Sequence, residues 1–143
     1  MNKKQIKAAA QKIEEYYAQF PDWYWKYGLH DARILSVCES ELIPDWKEKH
    51  PKRNCLDILL DSENTLYETN IKRISLYNYS IVEIKTKGKG SITLESFRDI
   101  YWLGDSIEQL DDGRYLLEIE CTDSHSNLMY LSIKFGSAEI ERT

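Results

Sequence analysis

The stretch Asp111-Asp112-Gly113-Arg114-Tyr115-Leu116-Leu117-Glu118-Ile119-Glu120-Cys121 decides the fold. Asp-Asp-Gly is a three-residue hairpin signal, with Gly113 suited to the left-handed position. After it the chain alternates. Tyr115, Leu117, Ile119 and Cys121 fall on one side, Glu118 and Glu120 on the other. A period of two is the mark of a strand with one wet face. Residues 122–127 form a turn. Residues 128–135 alternate again, with Met129, Leu131, Ile133 and Phe135 on the core side. Gly136-Ser137 then turns the chain into residues 138–142, where Glu139 and Glu141 face water. Strands joined this way make an antiparallel meander.

Upstream, residues 100–110 read as a strand containing Trp102 and bent at Gly104. Residues 80–86 and 70–77 are two more, with Asn78-Tyr79 as a bend between them. In residues 54–61, Leu56, Ile58 and Leu60 share one face. Residues 34–43 form the first strand, residues 44–53 a loop, residues 62–64 a turn, and residues 91–94 a further strand-like run. Lys87-Gly88-Lys89-Gly90-Ser91 superficially resembles a phosphate loop, but its glycines are two apart and no helix follows, so that reading is rejected.

The N-terminus differs. Ile6, Ala9, Ala10, Ile13, Tyr16, Tyr17 and Phe20 recur at three- and four-residue steps, which predicts an amphipathic helix over residues 3–19. Asn2 with Gln5 has the form of a capping box, and Pro21 ends the helix. Asp22-Trp23-Tyr24-Trp25-Lys26-Tyr27-Gly28 is an aromatic knot. Its rings either stack on a ligand, as in single-strand binders, or pin the helix to the sheet. No basic stripe surrounds them, which favours pinning. The fold class expected is α+β: an N-terminal helix packed on a curved, mainly antiparallel sheet of about six to eight strands, ending in a meander. At 143 residues the chain makes a single domain, with residues 1–28 the helix and aromatic segment and residues 29–143 the sheet.

Composition narrows the function classes. Ten Tyr and four Trp suit a β-rich fold. The net charge of −5 is uneven: residues 1–53 carry 10 Lys/Arg against 8 Asp/Glu, and residues 54–143 carry 9 against 16. An acidic sheet argues against nucleic acid and is compatible with a basic protein partner. Cys38, Cys55 and Cys121 are odd in number and lack a C-x-x-C pair, the pattern of reduced thiols in a cytoplasmic protein. No segment reaches the roughly 20 apolar residues of a membrane span.

His30-Asp31 is the one adjacent imidazole and carboxylate, placed where a turn launches the first strand. Metal-dependent phosphohydrolases carry such a pair on helices with further His and Asp, which this chain of three histidines lacks. Side chains bonded to backbone amides of the turn explain the pair more simply. Ser124-His125 lacks a nucleophile elbow, and the cysteines lack the close spacing of a zinc site. The reading therefore assigns no catalytic residue, no metal ligand and no cofactor. Its candidate binding residues are His30, Asp31, Trp23, Trp25, Tyr27 and Trp102.

Three phrases carry a resemblance. They are His30-Asp31-Ala32-Arg33-Ile34; Tyr101-Trp102-Leu103-Gly104-Asp105-Ser106-Ile107 with Gly113-Arg114-Tyr115-Leu116-Leu117; and Leu131-Ser132-Ile133-Lys134-Phe135 with Ala138-Glu139-Ile140-Glu141. Over residues 23–142 the chain resembles small bacterial proteins of unknown function, some similar to immunity proteins that neutralise secreted toxins. Where those sequences often carry an aromatic and an acid, this chain has Gly104 and Ser106. The resemblance implies a non-enzymatic, immunity-like or antitoxin-like protein-binding module and brings no catalytic residues. The alternative expectation is a small-molecule-binding protein or hydrolase with a pocket near His30 and Asp31.

Overall fold

The computed structural model describes residues 2–17, 20–26, 28–40, 55–63, 65, 70–88 and 90–143. Helix α1 (Lys3–Tyr17) opens with the capping box expected. The Asn2 amide donates to Gln5 Oε1 at 3.0 Å and the Gln5 amide to Asn2 Oδ1 at 2.9 Å, so two donors of the first turn are satisfied reciprocally. The side chains of residues 2–12 and 15 are all exposed. Ile6, expected on the sheet-facing stripe, is 55% exposed, so over these residues the helix does not pack on the sheet. The reason is composition: Lys3, Lys4, Gln5, Lys7, Gln11 and Lys12 surround one large apolar side chain, too little area to hold a helix down.

Among the described residues eight strands follow: β1 (Arg33–Ser40), β2 (Cys55–Asp61), β3 (Ile71–Tyr77), β4 (Ser80–Thr86), β5 (Ile100–Gln109), β6 (Tyr115–Thr122), β7 (Leu128–Phe135) and β8 (Ser137–Arg142). They form one open sheet in the order β4-β7-β6-β5-β1-β2-β3-β8, and every pair is antiparallel. The α+β class and a meander of β5, β6 and β7 are as the sequence implies, but β8, expected to extend that meander beside β7, instead pairs with β3 at the opposite edge. The continuation of the first strand over residues 41–43, the loop expected at residues 44–53, and Tyr27 lie outside the described residues. Residues 91–93 are not strand; a single 3-10 turn, Leu94–Ser96, follows them. Thr93 caps it, its amide donating to Ser96 Oγ at 3.0 Å, and the turn delivers Phe97, fully buried, into the core.

The sheet has two halves joined at a narrow seam. Between β1 and β5 only Arg33↔Tyr101 and Ile34↔Ile100 are paired. The other link is a ribbon. Strands β3 and β4 are separated by two residues, β7 and β8 by one, and β3 pairs β8 just as β4 pairs β7. One long two-stranded ribbon thus bends at Asn78-Tyr79 and Gly136 and runs from one half-sheet to the other. Asn78 takes the left-handed φ of 52° at the bend, a region asparagine tolerates. A β-carbon on Gly136 would lie 3.2 Å from the Asn78 side chain, so the bend requires a small residue there. The Gly136 amide donates to Tyr77 O at 2.9 Å across it.

Arg114 clamps the same corner. Its Nη2 donates to Asn78 O at 2.9 Å and lies 3.3 Å from Ser80 Oγ and 3.4 Å from Lys134 O. Arg114→Ala is expected to lower the unfolding free energy by about 1 kcal/mol, the size of one or two partly exposed charged hydrogen bonds. A urea melt with unchanged slope and a lower midpoint would show it; an unchanged midpoint would remove Arg114 from the corner's support.

The inner faces of both halves bury one continuous core, including Val37, Ile58 and Leu76 from one half and Leu117, Leu131 and Phe135 from the other. The faces read from alternation on β2, β6 and β7 are those observed.

Candidate functional site

The sequence candidates divide into two groups. His30 and Asp31 sit on the turn before β1, and both side chains are more than half exposed. His30 Nδ1 donates to Leu103 O at 2.6 Å, and its Nε2 lies 3.6 Å from the Asp31 carboxylate. Asp31 has φ 68°, its amide donates to Trp102 O at 2.9 Å, and the Trp102 amide donates to Ala32 O at 2.8 Å. The pair therefore docks a turn onto β5. The imidazole reaches a carbonyl rather than the backbone amides expected of it.

Of the aromatic candidates, Trp25 and Trp102 meet at one carboxylate, and Tyr24, which was not a candidate, joins them there. Tyr24, Trp25 and Trp102 are 4%, 5% and 0% exposed, and all three donate to Asp105. Trp25 Nε1 reaches Oδ2 at 2.9 Å, Trp102 Nε1 reaches the same oxygen at 2.8 Å, and the Tyr24 hydroxyl bonds Oδ1. The Trp25 and Trp102 rings cross edge-on at 5.6 Å, and Trp23 packs its ring 5.7 Å from both Tyr115 and Phe135. Burial pushes the Asp105 carboxyl above the ordinary aspartate range, while the three donors pull it back. These rings pin the segment before β1 to the sheet; buried in this way, Trp25 and Trp102 offer no stacking surface. Asp105 was not among the residues singled out from the sequence.

A groove of about 420 Å³ lies on the outer face of the half formed by β4, β7, β6 and β5. Strand register builds it in two rows. Gly104, Glu120, Tyr130 and Lys85 stand side by side across four strands, and Ser106, Glu118, Ser132 and Glu83 form the next row. The bulge between Trp102 and Gly104 turns β5 at this point and leaves Asp105 at the groove's edge. Gly104 is the low point: a β-carbon there would meet no atom within 4 Å. Lys85 Nζ lies 3.6 Å from Glu83 and 5.4 Å from the Tyr130 ring centre, and the Tyr130 hydroxyl lies 3.5 Å from Glu120. Three glutamates against one lysine leave the lining acidic. Neither His30 nor Asp31 lines it.

The outer face of the other half holds a second polar cluster. Asp57 accepts Ser40 Oγ at 2.5 Å, Ser75 Oγ at 2.6 Å and Cys55 Sγ at 3.6 Å. Burial pushes this carboxyl up, but those donors outweigh it and hold it below the ordinary range. Burial raises Cys38 and Cys55, with Asp57 adding to it, and pushes the Cys121 thiol up to about 12. All three thiols are thereby shifted away from the reactive thiolate. Among the described residues, no three His, Cys, Asp or Glu side chains converge to hold a metal ion. None of the described helices is long and apolar enough to cross a membrane.

Comparison of the chain with models of protein families, with curated proteins and with solved structures finds no match.

Proposed function

We infer that this chain is a non-enzymatic protein-binding module, immunity-like or antitoxin-like, acting in the cytoplasm on a basic protein partner. One observation carries the reading: Glu83, Glu118 and Glu120 line a tyrosine-bearing groove built on β4, β7 and β6, paired in that order. A groove of that charge attracts lysine or arginine side chains and raises the rate of encounter with a basic surface. Tyr130 adds an amphipathic ring of the type enriched at interfaces. The same charge repels phosphate backbones, which disfavours nucleic acid as the partner.

The test uses two variants that leave the core untouched. Glu118→Lys with Glu120→Lys reverses the groove's charge, and Gly104→Trp fills its low point, where the open space accepts a side chain. In tagged pull-downs from the source cell's lysate, wild type is expected to retain one stoichiometric basic protein that both variants lose. Circular dichroism should show all three equally folded. Retention of the same protein by both variants, or no retained protein at moderate salt, sinks the reading.

A further inference from the structure

Among the described residues two complementary surfaces of one chain stand unmatched, and the inference drawn from them rests on the groove being a docking site. Helix α1 stands exposed along the described residues 2–12, with Lys3, Ile6, Lys7 and Ala10 on one stripe at steps of three and four. No ion pair involves Lys3 or Lys7 among the described residues. In the groove, Glu118 and Glu120 stand two residues apart on the same face of β6. Lys3 and Lys7 are separated by about 6 Å along a helix, and Glu118 and Glu120 by about 7 Å along a strand. The two spacings match to within the reach of a lysine.

We propose that α1 of a second copy of this chain lies across the groove, and that the two copies exchange helices about a two-fold axis. Lys3 and Lys7 of each copy face Glu118 and Glu120 of the other, and Ile6, between them, covers the Tyr130 ring. An isologous pair of this kind closes on itself, because each copy supplies one helix and one groove. It also gives the groove a resident occupant that a basic partner must displace. The module is then held in a self-paired state until that partner arrives.

Light scattering coupled to size exclusion tests this on the full chain at about 100 μM, a concentration that saturates a micromolar complex. Wild type is expected to run as a dimer at low salt and to dissociate as salt screens the exposed charges. Lys3→Glu with Lys7→Glu, and separately Glu118→Lys with Glu120→Lys, should each weaken dimerisation at least tenfold. Mixed in equal amounts, the two variants should pair with each other, since each acidic helix then meets a basic groove and each basic helix an acidic one. Recovery on mixing is the result a general loss of fold cannot mimic. A monomeric wild type, or a dimer that both charge reversals leave intact, overturns the proposal. A monomer that still captures a basic partner through the groove overturns it while leaving the protein-binding reading in place.

Discussion

Replacing Trp102 with alanine is expected to lower the unfolding free energy by about 4 kcal/mol, the cost of emptying a fully buried indole site. Trp102 is 0% exposed and does three jobs at once. Its ring meets Trp25 edge-on, its indole N–H donates to Asp105, and its backbone pairs with Asp31 and Ala32 on the turn before β1. Only the backbone bonds survive the substitution. For a chain of this length the loss corresponds to roughly 12–16 °C in melting temperature. A melt within a few degrees of wild type would mean that the core closes over the gap and that the indole is not its support.

Asp105→Ala is the second large effect, about 3 kcal/mol. It leaves three donors, the Tyr24 hydroxyl and the indole N–H groups of Trp25 and Trp102, without an acceptor in a buried site, at about 1 kcal/mol each. Because the two residues share one network, the double variant with Trp102→Ala should fall short of the summed losses by more than about 1 kcal/mol. Full additivity would separate Asp105 from the aromatic cluster. The same carboxyl gives a pH signature. Its folded pKa is raised, so the native state holds the proton more tightly than the unfolded chain does. That contribution is complete below the unfolded value of about 3.9 and is lost as pH rises through the folded value. Wild type should therefore gain on Asp105→Asn as pH falls. The opposite slopes from Asp57, Asp123 and Glu141, whose carboxyls lie below their ordinary range, are common to both proteins and cancel in that comparison.

The strands were legible in the sequence because each carries its own alternation. Tyr115 to Cys121 and Met129 to Phe135 state which side is inward without reference to any neighbour, and Gly113 does take the left-handed conformation, at φ 86°. The 3-10 turn was misread because Ile92, Thr93 and Leu94 have strand-like chemistry, whereas what they must do is deliver Phe97 into the core. The groove was not legible. Glu118 and Glu120 could be placed on the outer face of β6, but outward glutamates on one strand describe any solvated sheet. They become a lining only when Tyr130 and Glu83 stand beside them, and that depends on β4 pairing with β7, some 50 residues away in the chain. Asp105 escaped for a different reason. A bulge shifts the register of β5 just before it, so counting alternate residues from Trp102 puts the carboxylate on the wrong face.

The bent ribbon bears on how the chain is made. Strand β3 cannot acquire its second neighbour until β8 arrives, more than sixty residues later, and β4 likewise waits for β7. On a ribosome, β1, β2 and β3 emerge as a three-stranded piece whose outer edge stays open until β8 is synthesised. Over that interval the inward row of Ile71, Ile74 and Leu76 has no lid, and the unpaired backbone of β3 is a template for any passing strand. The last strand, with Glu139 and Glu141 on its outer face, both completes the ladder and replaces that sticky margin with a charged one. Nascent chains halted before residue 137 should accordingly be those that chaperones hold and that aggregate when released.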